Sequence, residues 1–120
     1  MKMLDLFSGL GGASEAMLAN GWEVLRIENN PELALVPNTK IMCIYDLAKN
    51  IELNIANGVV PIQSKLVWAS PPCTDFSDGY AAPKSVARRA GEDYYPQNAI
   101  DMVLEAKRII DMLQPQYWII

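Results

Sequence analysis

The chain has 120 residues and no histidine. That excludes every catalytic unit in which an imidazole activates a serine or cysteine, and it removes the commonest zinc ligand. Cysteine is nearly as scarce. Cys43 and Cys73 are the two present, too few for a disulfide framework and not at metal-ligand spacing. Nor is there any apolar run near the ~20 residues of a membrane span: Tyr117 to Ile120, Leu66 to Ala69 and Ile41 to Tyr45 are strand-sized. Asp5 interrupts the apolar stretch behind Lys2, so no secretory signal core forms. A soluble, cytoplasmic protein is expected. Positive charge is in deficit, with 10 Lys and Arg against 14 Asp and Glu and a net charge of −4. Any nucleic-acid binding must therefore come from a local basic patch.

What is present is ordinary globular composition, 51% apolar and 20% charged, without repeats or low-complexity tracts. A chain of this length buries roughly 65% of its unfolded surface, enough for a single core. Short apolar runs alternate with helical stretches, which predicts an α/β fold, doubly wound around a mainly parallel sheet. Strands are expected at Met3 to Phe7, Trp22 to Ile27, Ile41 to Tyr45, Leu66 to Ala69 and Tyr117 to Ile120. Helices are expected at Ala13 to Asn20, near Ala48 to Ala56, and over Gln97 to Leu113. In the last of these, apolar residues recur at Ala99, Val103, Ala106, Ile110 and Leu113. The expected strand order is 3-2-1-4-5, with helices on both faces.

Two stretches carry chemistry. The first strand runs straight into Gly9, Gly11 and Gly12, a turn that brings backbone close to a ligand and to helix-start N–H groups. Glu28, 19 positions past Gly9, ends the second strand at the spacing where a carboxylate meets ribose hydroxyls in nucleotide-binding folds. Asp46 is expected to close the third strand at the same sheet edge. Such a turn can also serve packing alone, but acids at successive strand ends point to a nucleoside site. Dinucleotide and S-adenosylmethionine sites both remain open. Ser14 stands where the last glycine of GxGxxG would fall, which leans towards S-adenosylmethionine. The second stretch is Ser70-Pro71-Pro72-Cys73-Thr74-Asp75-Phe76-Ser77, again beyond a strand end. Two prolines fix the backbone and aim the cysteine outward, and a thiol is a good nucleophile even when little ionised. Cys43, inside an apolar run, reads as a small core residue.

Together, Asp5-Leu6-Phe7-Ser8-Gly9-Leu10-Gly11-Gly12 and Pro71-Pro72-Cys73-Thr74-Asp75-Phe76-Ser77 closely resemble the DNA cytosine-5 methyltransferases, a likeness that covers the whole chain. The resemblance implies a Rossmann-like S-adenosylmethionine-dependent methyltransferase fold that uses no metal. It places Phe7, Gly9, Gly11 and Gly12 around the cofactor, Glu28 at the ribose, Asn29, Asp46 and Leu47 towards the adenine, and Pro72 between the cofactor and the target base, which it holds for attack by the catalytic Cys73. DNA would be the substrate, in the setting of bacterial or phage restriction-modification. Ser77 and the basic residues Lys84, Arg88 and Arg89 would contact it. The stretch from Gly79 to Gly91, which carries no acid, resembles the mobile catalytic loop of the family. The chain stops where the Glu-Asn-Val motif of the family should begin. Residues 1–120 are therefore expected to form one partial catalytic domain without the target-recognition region, a fragment or one part of a split enzyme. A complementary C-terminal chain, or self-association through the apolar edge at 117–120, would follow. The contrasting reading is a module that binds S-adenosylmethionine without catalysis.

Overall fold

The computed structural model describes all of residues 1–120. Five parallel strands form one sheet: β1 (Lys2–Leu6), β2 (Glu23–Glu28), β3 (Thr39–Ile41), β4 (Leu66–Ala69) and β5 (Tyr117–Ile119), in the order β3-β2-β1-β4-β5. The expected order and class are both found. Four helices connect the strands: α1 (Glu15–Ala19), α2 (Ile44–Ala56), α3 (Pro83–Ala90) and α4 (Gln97–Leu113). The chain moves outward from β1 to β3, then crosses back through α2 to lay β4 on the other side of β1. The reversal opens a crevice beyond the C-terminal ends of β1 and β4, where doubly wound sheets bind ligands.

The two faces of the sheet are unequal. Leu4 and Leu6 of β1, Ile27 of β2, and Val67 and Ala69 of β4 pack against Ile44, Leu47, Ala48 and Ile51 of α2 and Ala106, Ile109 and Ile110 of α4. The helical partners recur every three or four residues, so one stripe of each helix faces the sheet. The opposite face has a smaller apolar cluster, Met3, Val24 and Leu66, packed by Met17, Leu18, Trp22 and Trp68. Alternation along the strands also puts Asp5 and Arg26 on that face, both fully buried.

Three boundaries differ from the sequence expectation. The third strand covers Thr39–Ile41 rather than Ile41 to Tyr45, so Asp46 does not end a strand. The last sheet bond runs from the Met42 N–H to the Glu28 carbonyl at 2.9 Å, and Cys43 then turns the chain as the residue before α2. An apolar run of this length suits a buried strand or a buried first helical turn equally well. The spacing of Ile44, Leu47, Ala48 and Ile51 decides for helix. Between Gly79 and Gly91 the expected loop is largely α3, with Pro83 in its first turn and Gly91 closing it at φ +71°, the pairing that starts and stops helices. Finally, α1 is a single short turn of five residues rather than the span Ala13 to Asn20.

Candidate active site

The glycine turn begins in strain. Phe7 leaves β1 at φ +58°, a left-handed conformation that costs a bulky residue about 1–3 kcal/mol. It redirects the chain so that the Ser8 N–H donates to the Ile27 carbonyl at 3.1 Å. Gly9, at φ +54°, then donates its N–H to Glu28 Oε2 at 2.8 Å. Glu28 Oε1 accepts from the N–H groups of Asn29 (2.8 Å) and Asn30 (2.9 Å). A carboxylate offers about four acceptor positions, so three backbone donors orient Glu28 and leave it able to accept one bond more.

Beneath the turn lies a buried polar cluster. The Arg26 guanidinium donates to Ser14 Oγ (2.9 Å) and to the carbonyls of Gly11 (3.0 Å) and Pro37 (3.0 Å), and it pairs with Glu15 (2.9 Å). Ser14 in turn donates to Asp5 Oδ2 at 2.6 Å. Burial raises the Asp5 carboxyl above the usual carboxylate range, against the opposing pull of the Ser14 hydroxyl and the Arg26 charge. Its second oxygen, Oδ1, has no partner.

A cavity of about 620 Å³ opens beside Glu28 and is lined by residues from strand ends and helices on both sides of the crevice. Phe7, Ile27, Met42, Ile44, Tyr45 and Met102 supply apolar wall, while Glu28, Asn29 and Asn30 supply polar groups. The volume falls within the roughly 300–1,000 Å³ of small-molecule sites. Tyr45 titrates above the usual phenol range because of partial burial and the nearby Asp101, Glu105 and Cys43. Ser70 and Pro72 also line the cavity. Cys73 follows directly, exposed to solvent at the start of a 3-10 turn over Thr74–Phe76. The Tyr94 phenol is raised, chiefly by the nearby Asp75 carboxylate.

Among the residues picked out from the sequence, Phe7, Glu28, Asn29 and Pro72 line the cavity, and Gly9 touches it through Glu28. Gly12 is exposed at the outside of the turn, where a Cβ would meet nothing within 4 Å. Gly11 faces the buried side, where a Cβ would overlap the Arg26 guanidinium. Asp46 points to solvent from the first turn of α2, and Leu47 lies in the core at 4% exposure, so neither lines the cavity. Met42, Cys43, Ile44 and Tyr45 stand in their place. Cys43 is thus a half-buried wall residue rather than a core residue of a strand. No motif signals these positions, because the displaced strand end moves the lining back by a few residues. Ser70, the first residue of the cysteine stretch, also lines the cavity, as do Asn30, Pro31 and Met102, which carry no such signal in the sequence.

Beyond Cys73, the Ser77 hydroxyl accepts from the Gly79 N–H at 3.0 Å and shapes the turn into α3. On α3, Lys84 pairs with Asp78 at 3.0 Å, holding the Asp78 carboxyl below its usual range. Arg89 lies 3.9 Å over the Tyr80 ring, and Arg88 is exposed. The basic residues therefore share one helix that follows the cysteine turn.

The family profile described as C-5 cytosine-specific DNA methylase matches residues 1–120. The chain is 27% identical to the Type II methyltransferase M.HgiGI of Herpetosiphon aurantiacus, over all of this chain and 87% of that protein. It is 33% identical to the Type II methyltransferase M.HindV of Haemophilus influenzae, over 64% of this chain and 26% of that protein. Methyltransferases of this kind draw their methyl group from S-adenosylmethionine, and no helix here is long and apolar enough to cross a membrane. With a match that runs from the first residue to the last, this chain belongs to the C-5 cytosine-specific DNA methylase family, the class of enzyme that methylates cytosine in DNA.

Proposed function

We propose that residues 1–120 form one unit that binds S-adenosylmethionine in the Glu28 cavity and presents Cys73 as the nucleophile for cytosine. The observation that carries this reading is adjacency. Pro72 belongs to the cavity wall, and the next residue, Cys73, is exposed. The lining suits the cofactor. A carboxylate braced by three N–H groups has capacity left for a ribose hydroxyl, and the apolar strip of Ile27, Met42, Ile44 and Tyr45 accepts a flat purine. When bound, S-adenosylmethionine supplies an electrophilic methyl group.

The residues of the chain do the rest. Cytosine C5 is a poor nucleophile. Addition of the Cys73 sulfur to C6 makes C5 electron-rich, and after C5 is methylated, loss of its proton expels the thiolate and restores the aromatic ring. The base must leave the helix to reach the cysteine, at a cost of a few kcal/mol. Lys84, Arg88 and Arg89 on α3, with Ser77 before it, hold the flanking phosphates. In this reading the choice of DNA sequence, and the glutamate that protonates cytosine, come from residues outside 1–120. They are supplied by a complementary chain, and the enzyme acts on DNA in the cytoplasm.

The test is trapping on DNA that contains 5-fluorocytosine, with S-adenosylmethionine and a supplied C-terminal half. Fluorine at C5 blocks the final elimination, so the adduct should persist on denaturing gels and vanish in Cys73→Ser. Cofactor binding without any adduct, under the same conditions, would leave the non-catalytic binding module as the better account.

A further inference from the structure

We propose that Arg26 is a positioning residue of the cofactor site, gripping the glycine turn from below so that the Gly9 N–H and the Glu28 carboxylate meet. The inference rests on the reading of the Glu28 cavity given above. An arginine with no exposed surface in the middle of a β-strand needs a reason. Desolvating its charge is costly, and apolar residues of similar volume are often as stable or more so at such sites. Filling the space beneath α1 therefore does not explain it.

The bonding pattern does. The donors of Arg26 reach three separate segments: the glycine turn at the Gly11 carbonyl, the start of α1 at Ser14 and Glu15, and the approach to β3 at the Pro37 carbonyl. Two residues further along β2, on the same side of the strand, Glu28 reaches the same turn at the Gly9 N–H. One rigid strand thus holds the turn at two points, a cation on a carbonyl and an anion on an N–H. The glycine at position 11 fits this arrangement, since any Cβ there would occupy the space of the guanidinium. Asp5 and Ser14 complete the clamp, because Ser14 accepts from Arg26 and donates to Asp5. Without the clamp the turn can relax away from β2. Glu28 then loses a donor that aims it and presents its carboxylate to the ribose less often. Arg26 is absent from the cavity lining, so its effect reaches the ligand only through the turn.

The experiment measures S-adenosylhomocysteine binding by calorimetry to the full chain and to Arg26→Met, Arg26→Lys and Ile51→Val. Ile51 lies in the core of α2 at 1% exposure, and its truncation serves as a destabilised control. Arg26→Met should fold and bind at least tenfold more weakly. Arg26→Lys, which keeps the charge but not the fork, should fall between, and Ile51→Val should bind like the unmodified chain. Amide exchange at Gly9 should quicken in both Arg26 variants and stay unchanged in Ile51→Val, a difference that general destabilisation does not produce. Because substitution at a buried arginine can prevent folding, NMR of the unmodified chain adds a second arm. Saturating S-adenosylhomocysteine should shift the Arg26 side-chain Nε–H resonance. Unchanged affinity in a folded Arg26 variant, or an unmoved Nε–H signal in the saturated unmodified chain, overturns the proposal. Failure of the unmodified chain to bind S-adenosylhomocysteine overturns the cavity reading itself, which separates the two.

Discussion

At the scale of single residues, the site is built from groups kept in costly states. Phe7 holds a left-handed backbone, Arg26 is a cation without solvent, and Asp5 is a carboxyl with one oxygen unpartnered. The Asp5 state has a measurable consequence. Its pKa is raised in the fold, so the folded chain keeps a proton that the unfolded chain releases near pH 4. The stabilisation from that proton is complete below about pH 4 and is lost as pH rises through the raised value. In Asp5→Asn this loss is absent. Urea midpoints between pH 4 and 7 should therefore move in favour of the variant as pH rises, and parallel curves for the two proteins would count against a raised Asp5. Residues of this kind are unevenly legible. Glu28 can be found by counting from Gly9 and Cys73 by its two prolines, because backbone chemistry ties them to their neighbours in sequence. The burial of Arg26 is invisible there, since its partners at Gly11, Ser14 and Pro37 come together only once β2 lies beside β1.

At the scale of elements, α3 is the most consequential departure from the sequence expectation. A polar stretch between glycines reads as a loop, yet Pro83 and Gly91 bracket eight helical residues whose small side chains at Ser85 and Ala87 are buried. Folding as a helix gathers Lys84, Arg88 and Arg89 on one short rod that follows the Cys73 turn. Replacing all three by alanine should weaken DNA binding across sequences alike. The slope of log affinity against log salt should become shallower by about one for each phosphate that the variant no longer neutralises. Fluorescence anisotropy at several salt concentrations measures both, and an unchanged slope would remove α3 from the DNA interface. The boundary between β3 and α2 teaches the same lesson in reverse. Ile41 to Tyr45 satisfies either period over so few residues, and the docking of Ile44 and Leu47 against the sheet chooses helix there. That choice puts Met42, Cys43, Ile44 and Tyr45 in the cavity wall, where Asp46 and Leu47 were expected.

At the scale of the whole molecule, the sheet is well covered on the face of α2 and α4 and thinly on the other, and it ends in an apolar edge. Tyr117, Trp118, Ile119 and Ile120 are each 44–55% exposed, and β5 pairs with β4 alone. An apolar edge strand invites a further strand. Small-angle scattering should show association that grows with concentration and is suppressed in Trp118→Lys, whereas a monomer at every concentration would rule out self-association along β5. The order of the strands, the glycine turn with its carboxylate and the cysteine behind two prolines were all determined by the sequence itself. Each rests on local rules of chain direction, turn chemistry and periodicity, which act within a few residues or one βαβ unit. The cavity wall and the grip of Arg26 on the turn were decided by tertiary structure alone. Each depends on packing between segments distant along the chain, and that packing, rather than local preference, sets where an ambiguous run ends and where a charge can be buried.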